Sequence, residues 1–314
     1  MWGAGLRGSL PSMNDQPGMC FYLEPDLRKS AEAGTHNFIA KIAEVLEKAR
    51  FRVEYADIPK GGGHGKSHLS LTHMSPPAGD KGLIFRRVYH YPFWQIETVS
   101  ERWRWDVAKA AFDPETVDPT VAHQFYGFWQ KRLFDIGPSK AVRGSYIYAP
   151  LQGRLAQHRS FQRCSPLRML EVTLEHAAGR HVIAGLHPKE TYSASELTAL
   201  DHLARRDSRL SIQTGGMAQL LQDCDFVVTQ NSAVAFSGYF FGKAAMLFAD
   251  IDFHHIAITA DMNNLSACFS AISAHRPDFA AYLWWFWQDQ SINAGRPDAQ
   301  AKIAARLQRF GWPV

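Results

Sequence analysis

The run His181-Val-Ile-Ala-Gly-Leu186 leads straight into His187-Pro-Lys-Glu190, and Asp225-Phe-Val-Val-Thr229 leads into Gln230-Asn-Ser232. Each joins a short apolar stretch, too short for a helix, to a polar loop at its carboxyl end. A strand that is apolar on both faces belongs inside a parallel sheet, where helices cover both sides. The surrounding sequence agrees. Tyr146 to Leu151 reads as a strand, and Pro166 to Ala178 as a helix with proline at its first position. Ser193-Ala-Ser-Glu196 has the spacing of a capping box and opens a helix to about Arg205. A strand at Leu210 to Gln213 and a helix at Met217 to Gln222 follow. A helix from Ala233 to Phe241, stopped by Gly242, and a last strand from Ala244 to Phe248 complete the alternation. Strands alternating with helices predict βαβ units and a doubly wound sheet, with both polar loops on one rim.

The first half repeats the theme less plainly. Thr35 is placed to cap a helix running to about Arg50, with Phe38, Ile39, Ile42, Val45, Leu46 and Ala49 on one face. Phe51 to Tyr55 alternates like a half-buried strand, and Leu83 to Val88 forms a second one. Between them, about 59–80, lies a loop rich in glycine, proline and histidine. Aromatic amphipathic segments near 98–112 and 120–134 precede a linker, Asp135-Ile-Gly-Pro-Ser139. The fold class expected is α/β, with two Rossmann-like domains. A leader covers 1–17, one domain 18–140 and the second 141–275, and helices cover 276–314.

At 314 residues, with 46% hydrophobic and 20% charged side chains, the chain has an ordinary globular composition. That excludes a disordered or fibrous protein. A net charge of +4, from 34 basic and 30 acidic residues, is too small to argue for nucleic acid and suits anionic small molecules. The four cysteines form no C-x-x-C pair, so neither a disulfide framework nor a zinc knuckle is expected. No apolar run approaches the length of a bilayer span.

The two rim loops carry the polar chemistry. Ser232 opens a helix whose free N–H groups favour an anion, and His187 and Lys189 sit on the neighbouring loop. Asp250-Ile-Asp-Phe-His-His255 follows the last strand and offers Asp252, His254 and His255 to sugar or ribose hydroxyls, or as an acid/base group. Lys60-Gly-Gly-Gly-His-Gly-Lys-Ser67 is not a P-loop: a lysine stands at the first glycine position, and no helix pattern follows. It reads instead as a mobile loop carrying His64, Lys66, His68 and His73. The aromatic run Tyr282-Leu-Trp-Trp-Phe-Trp287 reads as packing between domains.

Tyr148-Ala-Pro-Leu-Gln152, the His187-Pro188 loop, and Cys224 to Ser232 closing on Gly242-Lys243 resemble the bacterial capsular polysaccharide biosynthesis family, which includes β-Kdo transferases. The resemblance covers about 146–256. It implies a GT-B-like glycosyltransferase that moves Kdo, or a related acidic sugar, from a CMP-activated donor to a capsule or surface-glycan acceptor. His187 and Ser232 would support the departing phosphate. Gln152, Pro188, Lys189, Gln230, Asn231, Asp252, His254 and His255 would line the donor. The N-terminal domain would take the acceptor, with His64, Lys66 and His90 on that side. Asp15, Glu97 and His90 are the candidates for the acceptor-activating base. The helices of 276–314 would cross back onto the first domain, with Pro277 to Trp287 as the crossing helix. The partners implied are a nucleotide-sugar donor and a glycan or glycolipid acceptor, with no metal, no cofactor and no nucleic acid. A cytoplasmic location with peripheral inner-membrane contact belongs to the same picture. Two other readings fit the same residues: a GT-B-like enzyme using a UDP- or GDP-sugar, and a non-catalytic glycan-binding or assembly protein.

Overall fold

A computed structural model describes residues 17–58, 69–135 and 144–314. The leader over 1–16, Asp15 included, the glycine-rich loop with His64 and Lys66, and most of the proposed linker lie outside the described residues. The chain divides into two compact units, one of residues up to Glu101 together with Ser291–Val314, the other Arg102–Gln290.

The first unit is built on a six-stranded sheet. Its strands are β1 (Gly18–Leu23), β2 (Arg52–Asp57), β3 (Leu69–His73), β4 (Gly82–Arg87), β5 (Phe93–Glu97) and, from the returning chain, β12 (Ile292–Asn293). The spatial order is β12-β5-β4-β3-β1-β2, with β2, β1, β3 and β4 parallel and the β5 edge antiparallel. Helices α1 (Pro25–Glu32) and α2 (Asn37–Lys48) make the crossover from β1 to β2. The apolar face foreseen for α2 is there: Phe38, Ile39, Ile42, Val45 and Leu46 are buried. Its cap is His36 rather than Thr35, because the Thr35 hydroxyl donates to the Ser30 carbonyl closing α1. The C-terminal helix α11 (Ala299–Arg309) adds Ile303 and Leu307 to this core. Arg306 of that helix donates to the Ile96 carbonyl and pairs with the buried carboxylate of Glu97.

The second unit carries β6 (Tyr146–Pro150), β7 (His181–Leu186), β8 (Leu210–Thr214), β9 (Cys224–Thr229), β10 (Ala245–Leu247) and β11 (Ile258–Thr259), all parallel. Read from the β8 edge, the order is β8-β7-β6-β9-β10-β11. Numbered within the unit this is 3-2-1-4-5-6, the order of dinucleotide-binding folds. Around it stand α5 (Pro166–His176), α6 (Ala194–Arg206), α7 (Met217–Asp223), α8 (Ala233–Tyr239) and α9 (Leu265–Ala274). The capping box at α6 is complete, with Ser193 and Glu196 each satisfying the other's backbone. Lys243 is buried and donates to the Cys224 carbonyl, so it ties down the amino end of β9, opposite the polar rim.

Two expectations are corrected by packing. The first unit ends at Glu101, not near 140, and α3 (Asp106–Lys109) and α4 (Pro119–Phe134) belong to the second. Their attachment is chemical as well as steric: Tyr126 donates to the Tyr239 carbonyl and Gln130 to that of Phe240. Likewise α10 (Phe279–Trp284) and the π-helical turn Trp285–Asp289 stay with the second unit. Trp287 is fully buried there, within 6.3 Å of the rings of Phe125, Trp129, Phe236 and Phe240. The segment that returns to the first unit begins only at Ser291. The chain is thus two Rossmann-like units with a C-terminal helical tail. Among the described residues no helix is long and apolar enough to cross a membrane.

Candidate functional site

In a sheet of order 3-2-1-4-5-6, the crossovers leave β6 and β9 in opposite directions, so a crevice opens beyond their carboxyl ends. The first loop at this crevice follows β6. Leu151 donates to the Gly185 carbonyl of β7, and half-buried Gln152 and Gly153 come next. A Cβ on Gly153 would fall 2.8 Å from the Glu190 carboxylate, so the β6 and β7 loops touch there. Gly185 is constrained in the same way by the Tyr148 ring, 2.6 Å from where its Cβ would be. Gly153 lets the two rim loops close on each other, and Gly185 gives the Tyr148 ring room on the neighbouring strand.

His187, Pro188 and Lys189 are exposed on the β7 loop. The Lys189 N–H donates to His187 Nδ1 at 3.1 Å, which puts the proton of a neutral ring on Nε2. His187 is therefore set up as a donor. Across β6, the β9 loop holds Gln230, Asn231 and Ser232. Gln230 is buried, donating to the Cys164 carbonyl at 3.1 Å, while its amide oxygen is buried without a protein partner. Asn231 donates to the Asp250 carbonyl at 3.4 Å. The buried Ser232 hydroxyl accepts from the Val234 N–H and caps α8, a helix of only seven residues. The β7 and β9 loops are two strand spacings apart, roughly 10 Å. One phosphate cannot bridge both backbones. The residues between them come from the β6 loop.

That loop, 151–165, supplies side chains absent from the sequence expectations. Arg159 packs its guanidinium over the Phe161 ring at 4.9 Å, and burial and the neighbouring Arg154 charge lower its hold on the proton. Its Nε and the amide nitrogen of buried Gln162 have no protein partner. Arg163 pairs with Asp250 at 2.5 Å, and its N–H donates to the Phe248 carbonyl, pinning the loop to the end of β10. The rim is therefore cationic: Arg154, Arg159, Arg163 and Lys189 stand against Glu190 and Asp250. A signal existed. Between Asp135 and Glu171 there is no acidic residue, against six lysines and arginines.

The Asp250–His255 segment does not serve that rim as foreseen. Asp252 is fully buried, 3.4 Å from Arg102, and its carboxylate is a strut within the unit. His255 hydrogen-bonds the Tyr282 hydroxyl and packs on Trp285, and burial pushes its pKa down to about 4. His254 bonds the Ile251 carbonyl and stacks on His255. The Arg102 pair holds Asp252, and aromatic packing on Tyr282 and Trp285 holds His255. Among the described residues no group of three or more His, Cys, Asp or Glu is placed to hold a metal ion.

In the first unit, His90 lies in the turn between β4 and β5, where burial and the Arg87 charge bring its pKa to about 4. Glu97, a candidate base, is buried and paired with Arg306, which removes it from that role. Beside His90 the unit gathers two further histidines, His36 and His73, at the carboxyl edge of its parallel strands.

No family model matches the chain, and none of the curated proteins matches it in sequence. Among solved structures it is similar to the β-Kdo 2,7-transferase KpsC of Thermosulfurimonas dismutans, with a TM-score of 0.49 and 10% identity over 94% of this chain and 99% of that one. It is similar to the β-Kdo 2,4-transferase KpsC of the same organism, with a TM-score of 0.43 and 13% identity over 82% and 90%. A UDP-GlcNAc 2-epimerase from Neisseria meningitidis, bound to UDP-GlcNAc, gives a TM-score of 0.34 and 11% identity over 93% and 99%.

Proposed function

We propose that the protein is a glycosyltransferase whose second unit holds a nucleotide-activated sugar at the β6/β9 crevice. The observation that carries this reading is the cationic rim at the switch point of a sheet ordered 3-2-1-4-5-6. A nucleotide sugar carries its negative charge on one phosphate in a CMP donor and on two in a UDP or GDP donor, and Arg154, Arg159 and Arg163 bring opposite charge to the rim. In transfer, the bond between the sugar carbon and the phosphate oxygen breaks, and its electron pair leaves with the phosphate. Fixed donors that wait for this charge lower the barrier without reorganising. His187 Nε2–H and the arginines are such donors. Gln230 and Ser232 are bound into the protein and shape the pocket instead. The resemblance of Tyr148–Gln152, His187-Pro188 and Cys224–Ser232 to capsule-synthesis enzymes favours transfer over other uses of a nucleotide crevice. A CMP-linked acidic sugar is the donor that resemblance implies, and UDP- and GDP-sugars fit the same rim.

The test is a thermal-shift titration with CMP, UDP and GDP, with and without magnesium. A ligand bound at a hundred times its Kd stabilises the native state by about 2.7 kcal/mol, which a melting curve resolves. A shift with one of the three supports the reading and selects the donor. No shift with any of them rejects it.

A further inference from the structure

The loop over 151–165 brings three arginines to the rim of the second unit, and a carboxylate fastens it at each end. Beyond β10, Arg163 pairs with Asp250, whose own N–H donates to the Phe161 carbonyl at 2.9 Å. At the other end the Leu155 N–H donates to Oε1 of Glu196, in the first turn of α6. The second oxygen of that carboxylate, Oε2, accepts the N–H and the hydroxyl of Ser193, each at 2.9 Å. A capping box needs only one of the two oxygens. Glu196 closes the box with Oε2 and reaches out of the helix to the loop with Oε1.

A separate feature lies one residue before Leu155. Arg154 has a φ of +65°, in the left-handed region that a residue with a Cβ rarely adopts. Such a conformation persists only where the surroundings over-determine it, and it gathers at sites that clamp ligands. Both neighbours of Arg154 are tied. Gly153 stands against the Glu190 carboxylate. Leu155 is fully buried, and its carbonyl accepts from the Leu167 N–H at 3.0 Å. The Arg154 carbonyl accepts from the Gln157 N–H at 3.1 Å. Its guanidinium lies near enough to Arg159 for the two charges to repel, which an anion bound beside them offsets.

Glu196 is suited to hold this turn. The Ser193 N–H does most to keep its pKa below the usual carboxylate range. Burial opposes that, and the Ser193 hydroxyl and the N–H groups of Leu155 and Ala156 add to it. The carboxylate is ionised at neutral pH, so its bond to Leu155 is charge-assisted.

We propose that Glu196 is a positioning residue for the donor: by holding the Leu155 N–H it fixes Arg154 in its left-handed turn, where the guanidinium, beside that of Arg159, meets the phosphate of a nucleotide sugar. Glu196 itself touches no ligand. It acts by pre-organisation, because a loop already ordered loses less freedom when the anion binds. The proposal rests on the nucleotide-sugar reading of this crevice.

The experiment is calorimetric titration of the full chain, well below its melting temperature, with whichever of CMP, UDP and GDP wild type prefers. Glu196→Ala should weaken that nucleotide by about tenfold, as the charged hydrogen bond ordering the loop is lost. Glu196→Gln has one amide oxygen for two N–H groups and should fall between Glu196→Ala and wild type. Ser193→Ala removes the other half of the capping box, so it should lower the melting temperature yet leave the affinity within about twofold. Arg154→Ala should cost about tenfold, and adding Glu196→Ala to it should cost no more than about twofold further, because residues that act as one unit are not additive. Wild-type affinity in both Glu196 variants, equal weakening by Ser193→Ala, or full additivity with Arg154→Ala would overturn the positioning role and leave the crevice standing as the nucleotide site. No binding of any nucleotide by wild type would sink that reading, and this role with it.

Discussion

At the carboxyl ends of its strands the second unit presents Arg154, Arg159, Arg163 and Lys189, whereas the first presents His36, His73 and His90 beside Glu24. Guanidinium groups keep their charge at any pH a cell reaches, and they hold anions. Imidazoles lowered by burial are neutral at pH 7 and exchange protons instead. Similar strand orders at the two rims thus end in different chemistry, and the difference lies in loop composition. The sheets set where loops converge, and the loops set what converges there.

Each unit also contains a fully buried carboxylate held by an arginine, Glu97 with Arg306 in the first and Asp252 with Arg102 in the second. Removing one partner strands the other charge, which costs about 3–5 kcal/mol. Glu97→Ala and Asp252→Ala should therefore both show that loss in urea unfolding. Nucleotide binding at moderate temperature should survive in each. A stable Asp252→Ala protein that no longer binds nucleotide would return Asp252 to the site.

The next largest effect sharpens the contrast between the rims. Arg159→Ala should weaken the preferred nucleotide by about ten- to a hundredfold in calorimetric titration, as charged hydrogen bonds are worth about 1.5–3 kcal/mol. His73→Ala should leave the same constant unchanged. If the histidine variant weakened nucleotide and the arginine variant did not, the assignment of the rims would be reversed.

Acid stability probes the histidines directly. His90 and His255 fall to about 4 in the folded protein, below the ordinary 6.5. The unfolded chain therefore binds more protons between these values, and stability declines as pH drops from about 6.5 to about 4. With partial exposure each histidine contributes roughly 1–2 kcal/mol to that slope. His255→Gln should flatten it in urea titrations at a series of pH values. An unaltered slope would show that His255 is not held neutral. The smallest change expected is Ser232→Ala, which removes the cap of α8 at a cost of about 1 kcal/mol. A much larger loss of nucleotide affinity would mean that its hydroxyl serves the ligand as well.

The sequence and the structure agree unevenly, for physical reasons. In the second unit, His181–Leu186 matches its strand to the residue, because a parallel strand in the interior of a sheet is written as an apolar run. Ser193 and Glu196 announce α6 through a local hydrogen-bond code. In the first unit β3 is only five residues long, and it follows the glycine-rich segment. Strand β5, with Phe93 and Trp94, reads as an aromatic cluster because all five of its residues are buried and no alternation shows. The site divides in the same way. That His187 and Ser232 stand just beyond strand ends follows from the apolar runs before them, whereas the positions of Arg159 and of the Glu24–His73 contact depend on how loops fold back. Residues 24 and 73 are adjacent only because β1 and β3 pair.

The central claim, that the β6/β9 crevice is the nucleotide site, is tested most directly by hydrogen–deuterium exchange with and without a saturating nucleotide chosen from CMP, UDP and GDP. The account predicts slower exchange in peptides covering 151–165, 186–192 and 230–234, with the edge strands β8 and β11 unchanged. Slower exchange confined to other parts of the chain, or none at all, would contradict it.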